Sequence, residues 1–135
     1  MNDRSSSLLE IRPQIPSAKV TEEMSLNERF QNETLRPIIK LQNFLLLAVF
    51  KNYISKHKNR FYDLLPEKRM DYIENAIQKD IKFRNSLKGM LIGQFTEEEY
   101  DIYIQNSSAL NKRMMNMVVE KLKDQMQYFT MEMLV

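Results

Sequence analysis

The four residues Gly93-Gln94-Phe95-Thr96, set between two stretches of helical apolar periodicity, restrict the fold more than any other part of the chain. Thr96 followed by Glu97, Glu98 and Glu99 is a capping box. The Thr hydroxyl and the Glu99 carboxylate each satisfy a backbone N–H that the first turn of a helix leaves unpaired. Gly93 can take the left-handed conformation that ends a helix, and Phe95 and Tyr100 stand where two apolar side chains staple the incoming chain to the first turn. One helix therefore ends near 93 and another starts at 97, folded back antiparallel. With 2 Gly and 4 Pro in the sequence there is little turn chemistry for strands and hairpins. The expected fold is all-α: an antiparallel helical bundle of three long helices plus a short N-terminal helix.

A chain of 135 residues is one domain by length and buries roughly two-thirds of the surface its unfolded form exposes. The absence of cysteine excludes disulfides, thiolate chemistry and Cys-based metal sites, and it fits a reducing cytoplasm. Met1 to Pro13 has no apolar core of signal-peptide type, and the run Phe44 to Phe50 is far short of the roughly 20 residues a membrane span needs. A cytoplasmic protein with no membrane contact is expected. The formal charge of +2 gives no reason to expect a nucleic-acid partner.

Residues 1–24 hold scattered apolar residues between Ser5-Ser6-Ser7, Pro13 and Pro16 and read as a loosely ordered arm, docked, if at all, through Leu8, Leu9 and Ile11. Residues 25–135 read as a single helical-bundle domain. Ser25-Leu26-Asn27-Glu28 is a second capping box. Pro37 then requires either a new helix near 32–34 or a kink in a continuous one. Apolar spacing of three and four predicts long helices near 33–57, 66–92 and 97–128, the second opened by Pro66. On the first, Leu35, Ile38, Leu41, Leu45, Leu46, Val49 and Tyr53 form the inner face, and Phe44 and Leu47 lie outside it.

Polar residues interrupt these apolar faces at matching heights. Antiparallel pairing about the 93–96 turn sets 80–84 opposite about 105–109, and the preceding turn brings Gln42 to the same level. Gln42, Asp80 with Arg84, and Ser107 with Asn111 thus form one expected polar layer. The acid and base at 80 and 84 are spaced to pair along a helix. Three readings stay open: a buried network that fixes helix register, a pocket in which Arg84 holds a small anion or carboxylate, or a rotated helix that leaves these groups solvated.

Catalytic constellations are missing. A single His excludes the paired Glu-x-x-His motifs of di-iron bundles, and the Glu97–Glu99 run is what a helix N-terminus favours. There is no glycine-rich phosphate loop, and no metal or other cofactor is expected. The basic stretch Lys51 to Arg60 can touch phosphate, with Tyr53 and Phe61 near enough to stack on a base, but aromatics on an amphipathic helix are usually core and a nucleic-acid partner is not expected.

Leu35-Arg36-Pro37-Ile38-Ile39-Lys40-Leu41-Gln42-Asn43, Ile73-Glu74-Asn75-Ala76-Ile77-Gln78-Lys79-Asp80, Phe83-Arg84-Asn85-Ser86-Leu87-Lys88-Gly89, the 93–96 turn and Tyr103 to Met117 resemble a family of small, uncharacterised, all-helical bacterial proteins. The resemblance covers about residues 25–128, and members of that family sometimes carry the label glyoxalase. Glyoxalases of the two familiar kinds need either paired βαβββ modules with His and Glu metal ligands or a His-rich dinuclear motif. One His supplies neither.

The expected function is non-catalytic: self-association or protein–protein interaction, with a homodimer as the first expectation and a different protein partner as the second. Beyond about Lys123 the last helix outruns its antiparallel neighbour, so Met126, Phe129 and Met133, together with Phe44 and Leu47, are the expected interface. The alternative is a small-molecule binding protein or enzyme, the glyoxalase label included, that uses the Gln42, Asp80, Arg84, Ser107 and Asn111 layer.

Overall fold

A computed structural model describes residues 3–17 and 19–133, with side chains as far as Phe129. The ordered elements are helical throughout, and no strand occurs among the described residues. They are α1 (Asp3–Ile11), α2 (Leu26–Phe30), α3 (Arg36–Leu41), α4 (Asn43–Lys56), α5 (Pro66–Lys79), α6 (Ile81–Ile92), α7 (Glu97–Tyr103), α8 (Ser107–Asp124) and α9 (Met126–Met133).

The caps read from sequence form as expected. The Ser25 hydroxyl accepts the Glu28 N–H at 3.1 Å, Pro66 opens α5, and at α7 both halves of the capping box are made. Pro37 stands in the first turn of α3 without breaking the chain of helical residues that leads into it. Residues 31–35 widen into a π-helical turn, and the Arg36 N–H reaches back five residues to the Gln31 carbonyl. This turn absorbs the crowding and the lost hydrogen bond that proline brings, so α2 runs on into α3 with helical dihedrals throughout.

None of the three expected long helices is continuous. The first divides at Gln42, the second at Asp80, and the third between Tyr103 and Ser107 and again at Gln125. At Asp80 the backbone is extended, with φ −85° and ψ 97°, and the freed carboxylate caps α6 by accepting the Phe83 N–H at 3.2 Å. Gly93 also differs from expectation. It stays right-handed at φ −61°, and its value is room: a Cβ there would meet the Gly89 carbonyl oxygen at 3.1 Å. Phe95 packs edge-on against Phe30 and Tyr103, each at 5.5 Å, while Tyr100 stays 46% exposed.

The breaks decide which side chains reach the core. After Gln42 the buried stripe turns, so Leu47, Phe50 and Ile54 point inward and Leu45 is exposed. Phe50 lies at the centre of the aromatic core, 6.0 Å from Phe61 and 6.2 Å from Tyr72. The break at Gln125 begins a separate α9, which brings Phe129 to 5.3 Å from Phe50 and 5.9 Å from Phe61. Phe129 is fully buried within its own chain, which stabilises by roughly 1.5–3 kcal/mol. α9 therefore does not run on past its neighbours as the continuous helix would.

Candidate functional site

The five residues of the expected layer do not meet. Gln42 Nε2 donates to the Met90 carbonyl at 3.1 Å, an Arg84 guanidinium N–H donates to Gln78 Oε1, and the Tyr103 hydroxyl donates to Asn111 Oδ1. Ser107 is the half-buried first residue of α8. Asp80 takes the Tyr53 hydroxyl at 3.0 Å, and its only bond with Arg84 is the backbone one of 2.9 Å. These groups brace the breaks. Gln42 and Asp80 sit at two of them, Arg84 reaches back across the second to Gln78, and Asn111 ties α8 to α7 across the third. The Phe83 N–H and the Tyr53 hydroxyl, with help from His57 and against burial, hold the Asp80 carboxyl below its ordinary value.

The expected interface residues also separate. Phe44 is 78% exposed, whereas Leu47 and Phe129 are core. Met126 is partly buried against that core, and the side chain of Met133 lies outside the described residues.

The most built feature of the surface is one the sequence reading did not single out. The arm contains α1, with Leu8 half-buried and Leu9 exposed, and is pinned by arginines. Arg4 donates to the Phe95 and Gly93 carbonyls at 2.8 and 2.7 Å. Arg12 donates to both Glu99 oxygens at 2.6 and 2.7 Å and to the Gln94 carbonyl at 2.6 Å. The carbonyls at the end of α6 and in the turn after it are the acceptors a helix C-terminus leaves over, and cations belong there. Arg12 and Glu99 are both well buried, with side-chain exposures of 6% and 14%. Burial alone would raise the Glu99 carboxyl, but Arg12, the Thr96 N–H and the Thr34 hydroxyl outweigh it and hold it below the usual glutamate value. One carboxylate thus closes the α7 capping box and anchors the arm. The available signal in sequence was a pair of arginines about two helical turns apart in the arm, at 4 and 12.

This docking leaves a groove of about 840 Å³ between the arm, α2–α3 and α7. Leu9, Pro13 and Ile15 line one side, Leu26, Phe30 and Pro37 another, and Ile102 the third, with Arg12, Arg29, Glu33 and Gln105 among the polar residues. Leu9, Leu26 and Ile102 are 54%, 76% and 48% exposed. Arg12 Nε lies buried in the wall with no hydrogen-bond partner. Leu26 and Ile102 also line an adjoining hollow of about 380 Å³, which reaches Asn106 and Leu110.

Among the described residues no cluster of His, Asp and Glu is arranged to hold a metal ion, and no helix is long and apolar enough to cross a membrane. Comparison with known proteins finds no family, no curated protein and no solved structure that matches the chain.

Proposed function

We propose that this chain is a non-catalytic interaction protein that pairs with a second copy of itself through the groove between the arm, α2 and α7. The supporting observation is the convergence of Leu9, Leu26 and Ile102, large apolar side chains from three separate elements, on one groove whose wall is fixed by the Arg12–Glu99 pair. Scattered exposed leucines are ordinary, but a rimmed apolar concavity is the form that interaction surfaces take. A two-fold contact covers both copies of such a surface at once, and Leu26, the most exposed of the three, is the side chain to enter the partner's groove. Phe44, on α4 beside the exposed Leu45, is a second contact candidate. In this reading residues 25–135 form one domain, an antiparallel bundle of three jointed rods, and residues 1–24 are its strap. The cysteine-free composition suits a cytoplasmic setting.

Sedimentation equilibrium tests the reading. Full-length protein is expected to dimerise in the micromolar range, and Leu26→Glu and Ile102→Glu are expected to give monomers with unchanged circular dichroism. A chain that remains monomeric at high micromolar concentration refutes self-association. A dimer lost only in Phe44→Glu moves the contact to α4.

A further inference from the structure

Where α4 ends, a cleft of about 650 Å³ opens between the end of α4 and α5. We infer that it binds a small phosphate monoester carried on a planar ring, a mononucleotide being the simplest case. Four permanent cations line it, Lys56, Lys58, Arg60 and Lys79, and none of them lies in an ion pair among the described residues. The single carboxylate in the lining, Asp80, has both oxygens engaged, one by the Phe83 N–H and one by the Tyr53 hydroxyl. The lining therefore carries four positive charges against one negative, in a chain whose total is +2. Charge concentrated in a concave site of this kind raises the local concentration of anions.

The backbone is bent to make this arrangement. Lys58 and Asn59 are the only non-glycine residues with positive φ among those described, at 62° and 56°. Such conformations hold about 1 kcal/mol or more of strain each and collect at functional sites. The N–H groups of His57, Lys58 and Asn59 are spent on the carbonyls of Tyr53, Ile54 and Ser55, which leaves the side chains to meet the ligand.

The cleft also has an aromatic side. His57 stacks on Tyr53 at 4.0 Å and 24°, and Tyr53 lies against Phe83 at 4.1 Å. His57, the outer member, is exposed, so a planar ring can extend the column. Its Nδ1 lies 2.8 Å from the Tyr53 carbonyl, a contact that holds the ring over Tyr53. The Tyr72 hydroxyl, in the same lining, is buried with no partner. A buried hydroxyl without a partner is uncommon, and a ligand oxygen supplies one. The volume falls within the range of small-molecule sites. A polynucleotide needs an extended basic track, and the cations here are confined to the end of α4, the turn after it and the last residue of α5.

Isothermal titration calorimetry on the full chain at low salt tests the assignment with AMP, adenosine, inorganic phosphate and a single-stranded RNA 12-mer of about the length an extended track would hold. AMP is expected to bind roughly tenfold or more tightly than adenosine or phosphate. Arg60→Ala and Lys79→Ala should each weaken it several-fold, and Tyr72→Phe should weaken it with the melting curve unchanged. Lys112→Ala, on α8, should bind as the parent does. The inference is overturned by an absence of saturable heat with AMP at millimolar concentration, or by affinity unchanged in Arg60→Ala and Lys79→Ala. Phosphate binding as tightly as AMP, or RNA binding more tightly than AMP, overturns it equally.

Discussion

Arg12 and Glu99 are 87 positions apart in sequence and are joined by two charge-assisted hydrogen bonds, of 2.6 and 2.7 Å. Because Glu99 also closes the α7 capping box and accepts the Thr34 hydroxyl, the pair ties the arm, the π-helical turn and the α6–α7 corner together. Removing one partner of a buried pair strands the other, which costs roughly 3–5 kcal/mol when burial is complete. Arg12→Ala should therefore destabilise the chain by about 2–4 kcal/mol in denaturant melts, slightly below that range because a little solvent reaches Glu99. Amide exchange over 3–11 should rise at the same time. A variant that loses under about 0.5 kcal/mol would show the arm to be dispensable.

The same pair sets a pH dependence. The Glu99 carboxyl is held below its ordinary value in the folded chain, so the unfolded chain takes up that proton first as the pH falls. The stability it gives is complete above the unfolded value, about 4.3, and is lost as the pH falls through the lower folded value. The arm is expected to release in that acidic window, seen as accelerated exchange over 3–11, and Glu99→Gln should flatten the profile there. Release that begins near neutral pH would contradict this assignment.

How far the sequence foretold these features depends on how local each one is. Thr96 with Glu99, Ser25 with Glu28, and Pro66 are governed by residues within one turn, and each takes the role its chemistry assigns. Ile38, Ile73, Ile77, Leu87, Leu91, Leu110, Met114 and Val118 are buried as periodicity requires. Gln42 and Asp80 were harder. A polar residue on an apolar stripe reads equally well as a buried group inside a continuous helix or as the joint between two shorter ones, and hydrophobic spacing alone cannot separate the two. What decides is a partner remote in sequence: Tyr53 for Asp80, and the Met90 carbonyl for Gln42. The arm was opaque for the same reason. Leu8, Leu9 and Ile11 drew attention as apolar residues, yet only Leu8 is half-buried while the other two are more than half exposed, and Arg4 and Arg12 make the polar ties.

The role of Asp80 as a joint gives a graded prediction. Asp80→Ala removes the α6 cap and leaves the Tyr53 hydroxyl unpaired, which should cost about 1–2 kcal/mol. Asp80→Asn keeps an acceptor for the Phe83 N–H and should lose less. Glu74, half-exposed beside Lys123 at 3.1 Å, should cost under about 1 kcal/mol when changed to Ala. Denaturant melts check the order, and a loss from Glu74→Ala that equals or exceeds that from Asp80→Ala would remove Asp80 from this role.

Phe44 and Phe129, both expected at an interface on sequence grounds, now divide. Phe129 is fully buried against Phe50 and Phe61 in the chain's own core, while Phe44 is 78% exposed. Truncating a buried phenylalanine removes its transfer free energy and opens a cavity, so Phe129→Ala should cost about 3–5 kcal/mol at any protein concentration. Phe44→Ala should change the stability of the monomer by less than about 0.5 kcal/mol, and any larger effect should grow with concentration, as a contact between copies requires. A chain ending at Lys123 lacks Phe129 and should melt early or fail to fold, rather than becoming a stable monomer. If that shortened chain melts with the full-length protein, α9 does not contribute to the core and Phe129 returns to the surface.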